Sequence, residues 1–218
     1  MPCYNPLDAY KLLNEKTDNG KAVIVFDKKH SDESEAIRLP CGQCIGCRID
    51  RSRQWALRCL HEASLYSENC FITLTYDEEN IDETGSLVKR DFQLFMKRLR
   101  KKFKGVDYVH GDDGKRKYPI RYFQCGEYGE KFKRPHHHAL LFNFDFPEKR
   151  EDYPCGKYKW SVRNGLPVYR SGDLEKLWPH GNSEIGSLTV ESAAYVARYC
   201  IKKVNGKHAE NHYTRVDE

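Results

Sequence analysis

Four residues carry spacings from which chemistry can be read: His136, His138, Tyr195 and Tyr199. Side chains two apart on a β-strand point the same way, so the imidazoles of His136 and His138 can converge on one ion through neutral nitrogens. His137 points to the other face. Glu127 follows the apolar run 120–125, and pairing of that run with the histidine strand would return its carboxylate to His136 as a third ligand. Two imidazoles and one carboxylate leave coordination positions open for a phosphate oxygen, which the bound ion polarises as a Lewis acid.

Tyr195 and Tyr199 are four apart, which on a helix stacks them with Cβ atoms about 5–6 Å apart. Lys202 and Lys203 follow three and four positions after Tyr199. A phenol of pKa near 10 is only about 0.1% ionised at neutral pH. A nearby ammonium favours the phenolate, and an ion on the phosphate eases its attack. The spacing leaves the order of the two tyrosines open, with Lys202 as the partner that favours Tyr199. A phosphotyrosine conserves the energy of the broken phosphodiester, so the break can be resealed. Each pair also has an inert reading, as exposed histidines at a strand start or as core tyrosines on an amphipathic helix. Their co-occurrence in one short chain, in this order, favours the chemical reading. A nucleotide-hydrolase His-x-His-x-His pattern fails at Leu140, and the paired His-x-Thr motifs of two-histidine phosphoesterases are absent.

A third cluster is Cys41-x2-Cys44-x2-Cys47, among nine cysteines in all. The odd count and an N-terminus that is neither a signal nor a transit peptide argue against a secreted disulfide framework. Three thiolates need a fourth ligand for tetrahedral Zn²⁺, and Cys3, Cys59 or His61 could supply it. An iron–sulfur site fits less well, because no fourth cysteine is suitably spaced. The remaining reading is three reduced thiols in a Gly-rich turn. No apolar run approaches the roughly 18–20 residues that span a bilayer, which predicts a soluble protein of a reducing cytoplasm. The net charge of +5 does not by itself predict nucleic-acid binding.

The elements that must position these groups follow from periodicity. Residues 1–40 are polar, with one strand candidate at 22–26. Trp55, Ala56, Cys59, Leu60, Ala63 and Tyr66 recur at helical steps, and Arg48, Arg51 and Arg53 decorate that segment. Residues 70–76 read as a buried strand. Phe92, Phe95, Met96, Leu99 and Phe103 form a helical stripe whose other face carries Lys97, Arg98, Lys101, Lys102 and Lys104, either a solvated face or a DNA-facing one. A turn at 111–114, strands at 120–125 and 136–146, a strand at 183–188 and a helix over 191–204 stopped by Asn205-Gly206 follow. Residues 147–181, rich in Pro, Gly and charge, read as an irregular insertion with a short helix near 174–178. The order is α+β. It predicts a Cys-rich extension and helix over 1–69, a core domain over 70–205 and a tail over 206–218.

Three segments, FITLTY (71–76), PHHHALLF (135–142) and YVARYCIKK (195–203), resemble in order the three motifs of the HUH endonucleases, the rolling-circle replication initiators and relaxases. The segments CGQCIGCR (41–48) and ESAAYVARYC (191–200) are similar to those of replication initiators from gokushovirus-type microviruses, small single-stranded-DNA phages. The resemblance implies a central antiparallel sheet of four or five strands with flanking helices, and Mg²⁺ or Mn²⁺ held by His136, His138 and a carboxylate best assigned to Glu127. Tyr199-x-x-Lys202 matches the family's Tyr-x-x-Lys pattern, and Tyr195 is the second tyrosine of a two-tyrosine class. His137 departs from the bulky apolar residue usual there, on the side away from the metal.

The activity so implied is nicking and rejoining of a single-stranded origin in the cytoplasm of a bacterial host. A 5′-phosphotyrosine would form, and the free 3′-OH would prime the host DNA polymerase. No P-loop motif is present, so unwinding falls to a host helicase. Arg48, Arg51, Arg53, Lys97, Arg98, Lys101 and Lys102 are the expected phosphate contacts, with salt-sensitive binding. A catalytically inactive or structural-zinc DNA-binding protein, and a plasmid initiator or transposase with the same motifs, stay open as alternatives.

Overall fold

The computed structural model describes residues 3–27, 34–103, 120–129 and 132–202, with the backbone alone over 200–202. The chain divides into two compact units, Met1–Ser52 and Arg53–Glu218, with the boundary inside a helix, α1 (Ile45–Ala63).

The first unit is built on β1 (Leu7–Lys16), β2 (Ala22–Val25) and β3 (Ser34–Leu39). They pair antiparallel in the order β2-β1-β3, and Leu7 lies opposite Leu39. Only β2 was legible in the sequence. β1 and β3 carry too many polar residues for a clean alternation, and among the described residues only Ala9 and Leu12 are buried apolar side chains of this unit.

The second unit contains β4 (Asn69–Thr75), α2 (Lys89–Lys102), β5 (Arg121–Tyr128), β6 (Pro135–Phe142), β7 (Lys157–Arg163), β8 (Leu166–Ser171), α3 (Gly172–Leu177), β9 (Ser183–Ser187) and α4 (Val190–Lys202). The strands form one antiparallel sheet in the order β5-β6-β4-β9-β8-β7. Both faces are covered. On one, Ile72, Leu74, Ala139, Leu141 and Ile185 meet Phe92, Phe95, Met96 and Leu99 of α2, with Leu174 and Trp178. On the other, Leu140 and Phe142 meet Cys59 of α1 and Ala193 and Val196 of α4. Two covered faces explain why β6, with seven of its eight residues buried, reads as a near-continuous apolar run after the histidines. Each fully buried leucine contributes roughly 1.5–3 kcal/mol through burial, so the strand carrying the histidines is held rigidly.

The sheet has six strands rather than four or five, because residues 147–181 are irregular only at their ends, over 147–156 and after 177. They supply the β7–β8 hairpin, closed by Asn164-Gly165 with φ of 50° and 78°. Positive φ at both central residues is what a tight two-residue hairpin turn requires, and Asn-Gly meets it at low cost. The short helix expected there is α3. β5 runs on to Tyr128, past the predicted end at 125. β6 stops at Phe142, where Asn143 turns left-handed at φ 61°, although Phe144 and Phe146 still enter the core. The turn predicted at 111–114, Lys104, the stop at Asn205-Gly206 and the tail lie outside the described residues. No described helix is long and apolar enough to cross a membrane.

Candidate active site

Strand register assembles the site. β5 sets Glu127 opposite His136 and Cys125 opposite His138, while β4 sets Thr75 opposite His136 and Thr73 opposite His138. Directly opposed residues share a face. Glu127 therefore meets the histidines from within a strand, not from the turn that the sequence suggested. Gly126, between Cys125 and Glu127, passes beneath Leu87: a Cβ there would come within 2.6 Å of Leu87 Cδ1, so that side chain would have to move.

Nε2 of His136 and Nε2 of His138 each lie 3.4 Å from Oε2 of Glu127. The ligand atoms of the three residues fall within 4.8 Å of one another. The other ring nitrogens are already engaged. His136 Nδ1 is 3.0 Å from the Arg134 carbonyl and His138 Nδ1 is 3.0 Å from Thr73 Oγ1. A carbonyl only accepts, so His136 Nδ1 carries the hydrogen and its Nε2 presents a lone pair. The same tautomer of His138 donates to Thr73. Burial, followed by the charge of His136, pushes the His138 imidazole down to about 3, which keeps it neutral and able to ligate.

α4 lies across β5 and β6, anchored by the buried Ala193 and Val196. Its Tyr195 donates a hydrogen bond to Glu127 Oε2 at 3.1 Å, and the same hydroxyl is 3.3 Å from His138 Nε2. Tyr199, one turn on, donates to the Tyr195 oxygen at 3.2 Å. The two phenols and the carboxylate are thus one hydrogen-bonded chain, with the His138 ring in contact with its middle member.

The family model for replication-associated protein ORF2/G2P matches residues 69–204, from the first residue of β4 through α4. The chain belongs to this family. It is similar to replication-associated protein VP4 of Bdellovibrio phage phiMH2K, with 38% identity over 212 residues covering 97% of this chain and 61% of that protein. Replication-associated protein ORF2 of Spiroplasma virus 4 is 32% identical over 218 residues, covering 95% and 62% of the two chains. Replication-associated protein ORF4 of Chlamydia phage 1 is 34% identical over 180 residues, covering 82% and 41%. The chain spans about six-tenths of the length of the first two relatives. No solved structure matches it.

In this ORF2/G2P protein the electrostatics of Tyr195 oppose ionisation. Burial raises its phenol above the ordinary value of 10, the Glu127 charge raises it further, and Arg198 offsets part of that. Arg198 was not singled out from the sequence. Lys202 is on α4, but its side chain and all of Lys203 lie outside the described residues.

The expected contacts on α2 fall elsewhere. α2 packs on the sheet face opposite the histidine pair, so Lys97, Arg98, Lys101 and Lys102 are not brought to the site. Arg98 Nε donates to the Leu177 carbonyl at 3.0 Å, and Lys102 pairs with the buried Asp173 at 2.8 Å. Lys97, Lys101 and Arg53 are exposed, and Arg48 and Arg51 belong to the first unit. What the ORF2/G2P sheet does bring is the β7–β8 hairpin. Trp160, Arg163 and Arg170 line a cleft of about 570 Å³ together with Thr73, His136, His138 and Tyr195. Trp160 is 57% exposed, and the Arg170 guanidinium sits 5.2 Å over its ring. Arg163 pairs with Glu184 through two bonds of 2.9 and 3.2 Å. The only sequence signal for this wall was Asn164-Gly165 between two alternating runs.

Proposed function

We propose that this chain is the catalytic part of a phage replication initiator, an HUH-type endonuclease that nicks and rejoins single-stranded DNA through a 5′-phosphotyrosine. The observation that carries the reading is the contact of the Tyr195 hydroxyl with both Glu127 and His138, which joins a nucleophile to a set of metal ligands. Two lone-pair nitrogens and one carboxylate fit Mg²⁺ or Mn²⁺ with positions left for phosphate and water. His136, His138 and Glu127 would hold such a cation, which would supply Lewis-acid polarisation of the phosphate and offset the charge that opposes Tyr195 ionisation.

The protein's own groups do the rest. The phenolic proton of Tyr195 leaves to solvent, and its oxygen bonds to the scissile phosphorus. The bond from phosphorus to the upstream 3′ oxygen breaks, and that oxygen takes a proton from water to become a 3′-OH. The hydrogen bond from Tyr199 stabilises the Tyr195 phenolate. This proximity favours Tyr195 as the first nucleophile, in place of the Tyr199 suggested by Lys202 spacing. Tyr199, with Lys202 and Lys203 as supporting cations, attacks the regenerated origin, and the reverse reaction closes the released strand. The 3′-OH is extended by a host polymerase behind a host helicase, in the bacterial cytoplasm. The phage relatives and the family match support that setting.

The test is incubation of origin single-stranded DNA with Mn²⁺, followed by denaturing electrophoresis. A denaturant-resistant adduct is expected, lost in Tyr195→Phe/Tyr199→Phe and in His136→Ala/His138→Ala. Persistence of the adduct in the double tyrosine variant would overturn the proposal.

A further inference from the structure

The first unit is short of buried apolar side chains and holds four cysteines close together. A unit of roughly 50 residues is too small to be stabilised by a slight core, and among its described residues only Ala9 and Leu12 are buried apolar side chains. The pairing of Leu7 with Leu39 returns the residues before β1 to those after β3. Cys3 is thereby set beside the Cys41-x2-Cys44-x2-Cys47 segment.

The local backbone then aims at the sulfurs. Gly42, at φ 73°, turns the chain so that the amides of Gln43 and Cys44 donate to Cys41 Sγ at 3.5 and 3.3 Å. Cys44 Sγ accepts from the amides of Tyr4 at 3.4 Å and Cys47 at 3.5 Å, and Cys3 Sγ accepts from the Cys41 amide at 3.3 Å. Converging backbone donors of this kind stabilise negative charge. None of the four cysteines is in a disulfide.

We propose that Cys3, Cys41, Cys44 and Cys47 together bind one zinc ion. All four Sγ atoms lie within 4.8 Å of one another, and those of Cys3 and Cys44 are 3.8 Å apart. At a Zn–S distance of about 2.3 Å, the edge of a regular tetrahedron is about 3.8 Å. A donor set of thiolates without oxygen selects against Mg²⁺ and Mn²⁺, so this ion is distinct from the one at Glu127. Sulfurs this close surround a single ion rather than the separate irons of a cluster. Of the three fourth ligands that the sequence left open, the geometry selects Cys3; Cys59 is buried in the core of the second unit. The ion pins residues 3–4 to 41–47, adding to the slight apolar core of Ala9 and Leu12.

The experiment is metal analysis of the full chain, carrying His136→Ala/His138→Ala so that the other site cannot contribute, purified in reductant without added metal. Close to one zinc per chain is expected, retained in Cys59→Ser and lost in Cys3→Ser and in Cys41→Ser/Cys44→Ser. Cobalt exchange reads the ligands directly, even if a cysteine variant folds poorly. Four thiolates give intense sulfur-to-cobalt charge transfer and red-shifted d–d bands, which Cys3→Ser moves to shorter wavelength. The proposal is overturned if the unmutated cysteine cluster holds no zinc and shows no cobalt bands, if it holds iron instead, or if zinc is retained in Cys41→Ser/Cys44→Ser. The metal count does not depend on nicking, so either reading can fail alone.

Discussion

The hydroxyl of Tyr195 stands 3.1 Å from Oε2 of Glu127, which makes one carboxylate both a metal ligand in the proposed site and the main charge opposing the nucleophile. In the metal-free chain Tyr195 is therefore protonated more firmly than free tyrosine. Glu127→Gln should lower its phenol pKa, read from phenolate absorbance in an alkaline titration against Tyr195→Phe. The same change should weaken Mn²⁺ binding and abolish the adduct. A Tyr195 titration unmoved by Glu127→Gln would sink this account. For the unmutated protein, adduct formation should accelerate with pH from neutral into the alkaline range, because the raised phenol leaves the reactive anion scarce.

Thr73 touches the proposed metal only through His138, whose Nδ1 lies 3.0 Å from its Oγ1. Thr73→Val keeps the shape and removes the partner that orients the ring. A loss of about 10–100-fold in Mn²⁺ affinity is expected, from the usual effect of removing such partners. Thr73→Ser should restore it. Equal affinity in the Val and Ser variants, measured by calorimetry, would show that the hydroxyl does not position the imidazole.

The exposed ring of Trp160 at the cleft offers a base-stacking surface, and Arg163 a phosphate partner. Stacking on an aromatic is worth about 1–3 kcal/mol per base, so Trp160→Ala should weaken binding of a short single strand by about tenfold or more. Arg163→Ala should also shallow the salt dependence by roughly one phosphate contact. Lys97→Ala/Lys101→Ala, on the opposite face of the sheet, should change less. Anisotropy titrations in which the α2 double variant loses more affinity than Trp160→Ala would move the DNA path to that face.

His137 faces away from the site and is fully buried, with Nδ1 3.0 Å from Gln124 Nε2 and Nε2 3.3 Å from the Tyr76 hydroxyl. Burial holds its imidazole down to about 4. The unfolded chain, with histidine near 6.5, takes up the proton first as pH falls. Its contribution to stability is thus full above about pH 6.5 and lost progressively down to about pH 4, on the order of 3 kcal/mol in all. Urea midpoints should fall between about pH 7.5 and about pH 5, and fall less in His137→Asn. An equal acid slope in that variant would remove His137 from the explanation.

The features legible from residue spacing alone are local. The period of two placed His136 and His138 on one face and His137 on the other. The step of four stacked Tyr195 on Tyr199, and the apolar stripes announced α1, α2 and α4, and with them the α+β class. Each of these follows from geometry within one element. The features that were not legible depend on pairing between distant segments. The β5–β6 register put Glu127 opposite His136, and β4 brought Thr73 to His138. The β1–β3 pairing carried Cys3 to the other three cysteines. The β7–β8 hairpin escaped detection because its alternating runs are short, lie among Pro, Gly and charge, and leave most of their residues exposed or only half-buried. Helical periodicity found the basic face of α2 but could not say which side of the sheet it covers, and that side turned away from the tyrosines.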